Sequence, residues 1–319
     1  MKLGLLTVPY ASKTLEETLK IIRPLGIEAV ELGAGGYTND AHCHVHELLE
    51  NPGKIRELKA LVDAYGMTIS ALSCHGNPVH PNKAIAQAAD RNFHETLELA
   101  EQLGVDTVVT FSGCPGGSKT DTTPNWVTCA WPTEFQDIGD YQWNECLLPY
   151  WEKAGARAED HGVRVAIEMH PGFCVYNTET MKRLHQASKA VGANFDPSHL
   201  FWQGMDAVEA IYDLGALIYY VHAKDCVVHD NVRRRAGVLD TKSFNEIPNR
   251  AWIFRTVGYG HDAKVWKDIL SALRVNGYDK TVSIEHEDAL MSVDEGVKKA
   301  AAFLNEMMIR EEACQAWWA

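Results

Sequence analysis

Along the 319-residue chain, two patterns of apolar residues alternate. Short runs rich in β-branched residues mark buried strands. The stretches that follow carry apolar residues three and four apart, the mark of amphipathic helices. The pattern predicts strands near 2–8, 27–33, 67–74, 105–111, 163–169, 192–197, 217–224 and 281–286. Between them it predicts helices near 14–24, 53–65, 82–103, 141–161, 178–190, 206–214, 261–276 and 292–308. Gly26, Gly66, Gly104, Gly162, Gly192 and Gly277 each follow an amphipathic run and precede a strand, where a left-handed helix cap is expected. Eight βα units with no domain-breaking linker point to an α/β chain closed into a single (β/α)₈ TIM barrel over 1–319, with a C-terminal tail from about 309. An open doubly wound sheet is the alternative, weakened because no GxGxxG follows the first strand.

Two connections exceed the usual length of about 4–6 residues. One spans 112–140 and contains Trp126 and Trp131; the other spans 225–260 and contains Arg255 and Trp252. Each follows a strand, so each belongs to the C-terminal face of the barrel, where active sites are built. Their tryptophans offer apolar contact area for a substrate wall or lid.

Four successive barrel strands run from apolar residues into a metal-capable side chain. They are Val163-Arg164-Val165-Ala166-Ile167-Glu168, Ala193-Asn194-Phe195-Asp196, Tyr219-Tyr220-Val221-His222 and Val282-Ser283-Ile284-Glu285. Three carboxylates and an imidazole in one mouth would repel strongly if left alone. A divalent cation removes that repulsion. An oxygen-rich set with one nitrogen suits Mn²⁺ first, with Mg²⁺ or Co²⁺ as alternatives, over structural Zn²⁺.

Composition narrows the partners. A formal net charge of −13 disfavours nucleic acid and anionic membranes. No apolar run approaches the roughly 20 residues of a membrane span, and the first residues lack a secretion signal. Eight cysteines without disulfide or CxxC spacing suggest reduced thiols and a cytoplasmic protein.

The segments Ile167-Glu168-Met169-His170-Pro171, Phe195-Asp196-Pro197-Ser198-His199, Val221-His222-Ala223-Lys224-Asp225 and Ile284-Glu285-His286-Glu287-Asp288 resemble the xylose-isomerase-like superfamily. Within it they are similar to the sugar phosphate isomerase/epimerase group, with its ketose 3-epimerases, inosose dehydratases and C-glycoside deglycosidase catalytic subunits. The resemblance implies one divalent metal on Glu168, Asp196, His222 and Glu285. It also implies that Glu168 and Glu285 act as the acid/base pair beside a metal-polarised carbonyl.

Other residues are candidates on the same face. His75, in Ser73-Cys74-His75-Gly76-Asn77-Pro78, is a second base or hydroxyl ligand, or simply orders its own turn. His170 and His199 bind substrate or orient metal ligands. Lys224 and Asp225 bind hydroxyls or pair with each other. Arg255 is a substrate arginine or a loop anchor, and Trp126 a substrate wall. The tract Ala41-His42-Cys43-His44-Val45-His46 reads as a solvated loop. Gly113-Cys114-Pro115-Gly116-Gly117-Ser118 lacks the pattern of a phosphate loop. Arg233, Arg234 and Arg235 read as a solvated face or subunit contact.

The leading function is a metal-dependent isomerase or epimerase of a sugar or keto-sugar. The runner-up takes the same first step and then eliminates, as a 3-keto-glycoside lyase or a keto-inositol dehydratase. A phosphodiesterase like the endonuclease IV group calls for a basic surface, and a binding module needs no metal ligands. The tail, ending Ala316-Trp317-Trp318-Ala319, is expected to dock on its own barrel or on a partner. The expected partners are a carbohydrate substrate and a homo-oligomer, with a small second subunit as the variant that the deglycosidase resemblance raises.

Overall fold

A computed structural model describes residues 1–319. Eight parallel strands close the barrel: β1 Lys2–Leu6, β2 Ala29–Gly33, β3 Thr68–Ser73, β4 Thr107–Phe111, β5 Arg164–Glu168, β6 Val191–Phe195, β7 Ile218–Ala223 and, after an added hairpin, β10 Thr281–Ile284. Each pairs with its sequence neighbour in the barrel, and β10 closes onto β1 with Leu3 beside Val282 and Leu5 beside Ile284.

Two-residue alternation sorts the strand side chains into two layers. Leu3, Leu5, Val30, Leu32, Leu72, Val108, Val165, Ile167, Ala193, Val221, Val282 and Ile284 join the large apolar core shared with the helices. The alternate positions face the barrel axis. There Ala71, Val109, Ala166 and Tyr220 contribute to a separate small cluster, and Glu31, Asn194, His222 and Ser283 are fully buried. An interior this polar must satisfy its own hydrogen bonds. Tyr220 does so through Ser70, 2.7 Å from its hydroxyl.

Helix ends follow the local chemistry. Thr14 closes a capping box with Glu17, and Asn177 does the same with Thr180. Gly26, Gly66, Gly104, Gly162 and Gly277 take positive φ between a helix and a strand, as expected. Gly192 does not. It lies inside β6, one residue after the strand begins, and the helix before it ends at His185. A Cβ there would come 2.5 Å from the Tyr219 ring and 2.6 Å from the Leu217 carbonyl, so glycine is required by close approach rather than by a cap.

The two long connections are more structured than their sequences suggested. The first gains a helix at Glu134–Tyr141 that runs through wider π-type turns at Gln142–Leu147 into the helix Leu148–Asp160. Gln142 Nε2, at the widened turn, donates to the carbonyls of Pro115, Gly116 and Asn125, pinning the loop. The second folds into an antiparallel hairpin, β8 Asp225–Val228 with β9 Trp252–Arg255. The tail docks on no part of its own barrel through its tryptophans: Trp317 is 85% and Trp318 71% exposed. No helix is long and apolar enough to cross a membrane.

Candidate metal centre

Glu168 is the last residue of β5, and His222 is the fifth of β7. Asp196 and Glu285 each sit one residue past their strands, a small correction to the expected ends. Barrel order β5, β6, β7, β10 makes all four neighbours. Glu168, Asp196, His222 and Glu285 each offer a ligand atom, and these atoms all lie within 4.8 Å of one another.

Each side chain is held by something else. Asp196 caps the short helix Pro197–Phe201, its Oδ1 accepting from Ser198 N at 2.9 Å. Glu168 accepts from His75 Nε2 at 2.9 Å and from His199 Nε2 at 2.8 Å, one on each oxygen. His222 Nε2 donates to both oxygens of Glu31, at 2.9 and 3.1 Å. That leaves Nδ1 aimed at the mouth, 2.9 Å from Glu285 Oε2 and 3.6 Å from Glu168 Oε2, with Asn194 Nδ2 3.0 Å away. Glu31 also accepts from Ser73 and Ser283. A carboxylate behind a ligating histidine fixes its tautomer and orientation. The sequence reading missed Glu31, although a lone acid between Val30 and Leu32 in a buried strand was a visible signal.

Lys224 is buried among the acids. Its Nζ lies 3.1 Å from Asp196 Oδ2, 2.9 Å from Glu285 Oε2 and 3.1 Å from Glu287 Oε2. It does not pair with Asp225, which instead accepts from His261 Nδ1 at 2.7 Å and from the backbone of Gly258 and Gly260. Even with the lysine there, negative charge is in excess. Burial, with Glu285 and Glu168 nearby, pushes the Asp196 carboxyl up to about 7 against the pull of Lys224. Burial would raise Glu285 too, but Lys224 and His222 outweigh it and hold it below the ordinary range. Burial pushes His199 down to about 3, so it is neutral at physiological pH.

Two buried oxygens, Asp196 Oδ2 and Glu285 Oε2, are met by the Lys224 ammonium, and Glu285 Oε2 also by His222 Nδ1, without a well-aligned hydrogen bond. Both belong to the four-residue cluster. Carboxylate oxygens that converge on one point beside an imidazole nitrogen are the donor set of a divalent cation. The residues therefore fit such an ion.

The sequence model of the xylose isomerase-like TIM barrel family matches residues 19–307. The chain belongs to that family. A Bacillus subtilis (strain 168) relative, the uncharacterized protein YfiH, is 37% identical over 310 residues, covering 96% of this chain and 99% of that one. Solved structures in the same fold include the probable 3-DHS dehydratase AsbF of Bacillus anthracis (TM-score 0.66, 16% identity, 96% and 99% of the two chains). A D-tagatose 3-epimerase-like protein aligns with TM-score 0.66 and 19% identity over 96% and 97%. The IOLI protein, solved with a bound zinc atom, aligns with TM-score 0.65 and 18% identity over 96% and 98%.

The remaining candidates fall at varying distances from this four-residue cluster. His75, His170 and His199 ring it: His75 and His199 bond Glu168, and the His170 and His199 rings lie 4.2 Å apart. Trp126, His170, His199, Trp202, Phe244, Trp252 and Phe254 help line a cavity of about 500 Å³. Arg255 is bonded to Asp288 through Nε at 3.1 Å, which anchors the hairpin to the loop after β10. The His42 tract is only partly solvated. His42 is buried with Nε2 bonded to the Lys13 carbonyl, whereas His44 and His46 are exposed. Gly113–Ser118 is closed by Asp121, which accepts from Gly117 N and Ser118 Oγ, leaving no cradle for phosphate. Arg233 and Arg234 pair with Asp230 on an exposed helix.

Proposed function

We propose that this chain is a divalent-metal-dependent isomerase or epimerase of a sugar or keto-sugar, with Mn²⁺ the first metal to test. The observation that carries the reading is the cluster of Glu168, Asp196, His222 and Glu285, whose ligand atoms all lie within 4.8 Å of one another. When bound, the cation polarises a substrate carbonyl and so acidifies the neighbouring C–H. Glu285, 12% exposed at the mouth, is placed to take that proton. Glu168, held on both oxygens by His75 and His199, returns a proton, taken up from solvent, from another direction. Lys224 Nζ stands where a hydroxyl or enolate oxygen needs a donor, and Phe254 packs 4.7 Å from its ammonium. His170 and His199 line the substrate side.

One observation favours a second ending. The cavity beside His170 and His199 is walled by Trp126, Trp202, Trp252, Phe244 and Phe254, aromatic surface that suits an apolar or aromatic substituent on the substrate. A group β to the carbonyl would then leave after proton abstraction, as in a lyase of 3-keto-glycosides or a dehydratase. The matching of solved dehydratase and epimerase structures supports both endings without choosing.

Incubating the Mn²⁺ protein with free ketoses and with 3-keto-glycosides of aromatic aglycones, in deuterated water, tests the choice. Deuterium gained at unchanged skeleton means isomerisation, and a released aglycone means elimination. No exchange into either substrate class would end the proposal.

A further inference from the structure

The first long connection and the turn after β5 each carry a buried cysteine, and the backbone sets the two side by side. Cys174 N donates to the Gly113 carbonyl at 3.1 Å, and Val175 N donates to Ser112 Oγ at 3.0 Å. An amide bonded to the carbonyl just before Cys114 keeps the Cα atoms of Cys114 and Cys174 within about 7 Å, the limit for bridging two cysteines without moving the backbone. The side chains face each other, because the Cys174 thiol hydrogen-bonds the Cys114 sulfur. Cys114 is fully buried and Cys174 is 5% exposed. Neither has a part in the reaction proposed for the mouth.

Both positions are held from behind. Asn77 clamps Cys114: its Oδ1 accepts from Cys114 N at 3.1 Å, and its Nδ2 donates to the Cys114 carbonyl at 2.8 Å. Gln142 Oε1, on the residue that pins the loop, lies 3.9 Å from Cys174 Sγ. The pair is also chemically unequal. The hydrogen bond from Cys174 holds the Cys114 thiol below the usual cysteine range, whereas that bond and burial hold the Cys174 thiol far above it. Cys114 is therefore the nucleophile and Cys174 the resolving thiol.

We infer that Cys114 and Cys174 form a reversible oxidation site, closed to a disulfide by a small peroxide such as hydrogen peroxide. The Cys114 sulfur attacks one peroxide oxygen and the O–O bond breaks. Cys114 becomes a sulfenic acid, and the other oxygen leaves as water with the thiol proton. The Cys174 sulfur then attacks the Cys114 sulfur and expels the second oxygen as water, with the proton from Cys174. Two thiols and one hydrogen peroxide give one disulfide and two waters, so the sulfurs lose the two electrons that the peroxide gains. A dithiol reverses the step by exchange. The new bond joins the loop that carries Trp126 to the turn that carries Pro171 and Gly172, all of which line the aromatic cavity.

The test is a non-reducing peptide map of the full wild-type chain, reduced, freed of metal with a chelator and treated with hydrogen peroxide. The expected map joins the Cys114 and Cys174 peptides, and dithiothreitol separates them again. Dimedone, which traps sulfenic acids, is expected to label Cys114 in Cys174→Ser and to leave Cys174 unlabelled in Cys114→Ser. Cys114 and Cys174 recovered unlinked from wild type, at a peroxide dose that oxidises the exposed Cys129 and Cys314, would overturn the site. A map that joins either one to Cys146 or another cysteine instead would also overturn it. Dimedone on Cys174 in place of Cys114 would overturn the order of attack. Because the map reads sulfur and not turnover, these outcomes leave the proposed function untouched.

Discussion

The barrel axis carries two polar tiers, one above the other, and they are built on opposite principles. In the lower tier Glu31 is fully buried and fully paired, with Ser73, Ser283 and both contacts from His222 Nε2. Burial alone would raise its carboxyl, but His222 and the two hydroxyls hold it below the ordinary range. Two residues beyond Asn194 and Ser283 on their strands, Asp196 and the partly exposed Glu285 each keep an oxygen that meets the Lys224 ammonium without a well-aligned hydrogen bond. A buried acceptor left unpaired costs about 1–3 kcal/mol or more when charged. The lower tier avoids that cost by internal bonding, and the upper tier offsets it only in part, through the charges of Lys224 and His222. Under the proposed function the lower tier is support and the upper tier the receptor, with His222 belonging to both.

The largest effects should come from breaking the receptor tier. Glu285→Gln and Glu168→Gln keep the side-chain shape but remove the proton acceptor. Turnover is expected to fall by about 10²–10⁴-fold, the usual share of a positioned acid or base, with folding unchanged by circular dichroism. Wild-type turnover in either variant would remove that residue from the chemistry.

Weakening the support tier should do less. Glu31→Gln keeps the volume but gives His222 Nε2 a neutral partner. Metal affinity, read by calorimetric titration, is expected to drop about 10–100-fold, as for other residues that orient a ligand from behind. An unchanged affinity would mean that His222 is positioned by packing alone and that the two tiers are independent.

The receptor tier was legible in the sequence, and the support tier was not, for a geometric reason. Each metal candidate ends an apolar run, so local pattern alone marks Glu168, Asp196, His222 and Glu285. The partners of Glu31 lie 42, 191 and 252 residues away, and only barrel closure brings them together. Lys224 is the same case, because its acids Asp196 and Glu285 arrive from other strands. The hairpin of β8 and β9 was hidden in a polar stretch in which Asp240, Lys242 and Arg250 bond to its backbone and to one another. Glycines after helices were read correctly at five positions. Gly192 failed because its reason, contact with Tyr219 and Leu217, is tertiary.

Proton competition offers a milder perturbation than mutation. A carboxyl raised to about 7 is largely protonated below neutrality in the metal-free protein, and a cation must displace that proton. Affinity for Mn²⁺ should therefore fall as pH drops through 7, by at most about tenfold per pH unit for one proton. Above it, affinity should level off. Calorimetry in buffers of different ionisation enthalpy should count close to one proton released per ion bound at slightly acidic pH. Asp196→Asn, if it still binds at all, should abolish that release. Release that persists in the variant would place the displaced proton on another group.

The smallest effect at the centre should come from the barrel floor. Gly192→Ala would place a methyl 2.5 Å from the Tyr219 ring and 2.6 Å from the Leu217 carbonyl. A carbonyl cannot rotate away as a flexible side-chain end can, so the strands must shift, and overpacking of this kind costs typically about 1–3 kcal/mol. Denaturant titration should show that loss. Mn²⁺ affinity should nevertheless hold within about twofold, less than 0.5 kcal/mol, because Asn194 and Asp196 lie further along β6 and its following turn, and Asp196 is fixed by its own helix cap. If affinity falls in step with stability, the strain has travelled along β6, and the mouth depends on the floor more closely than the separate bonding of the two tiers implies.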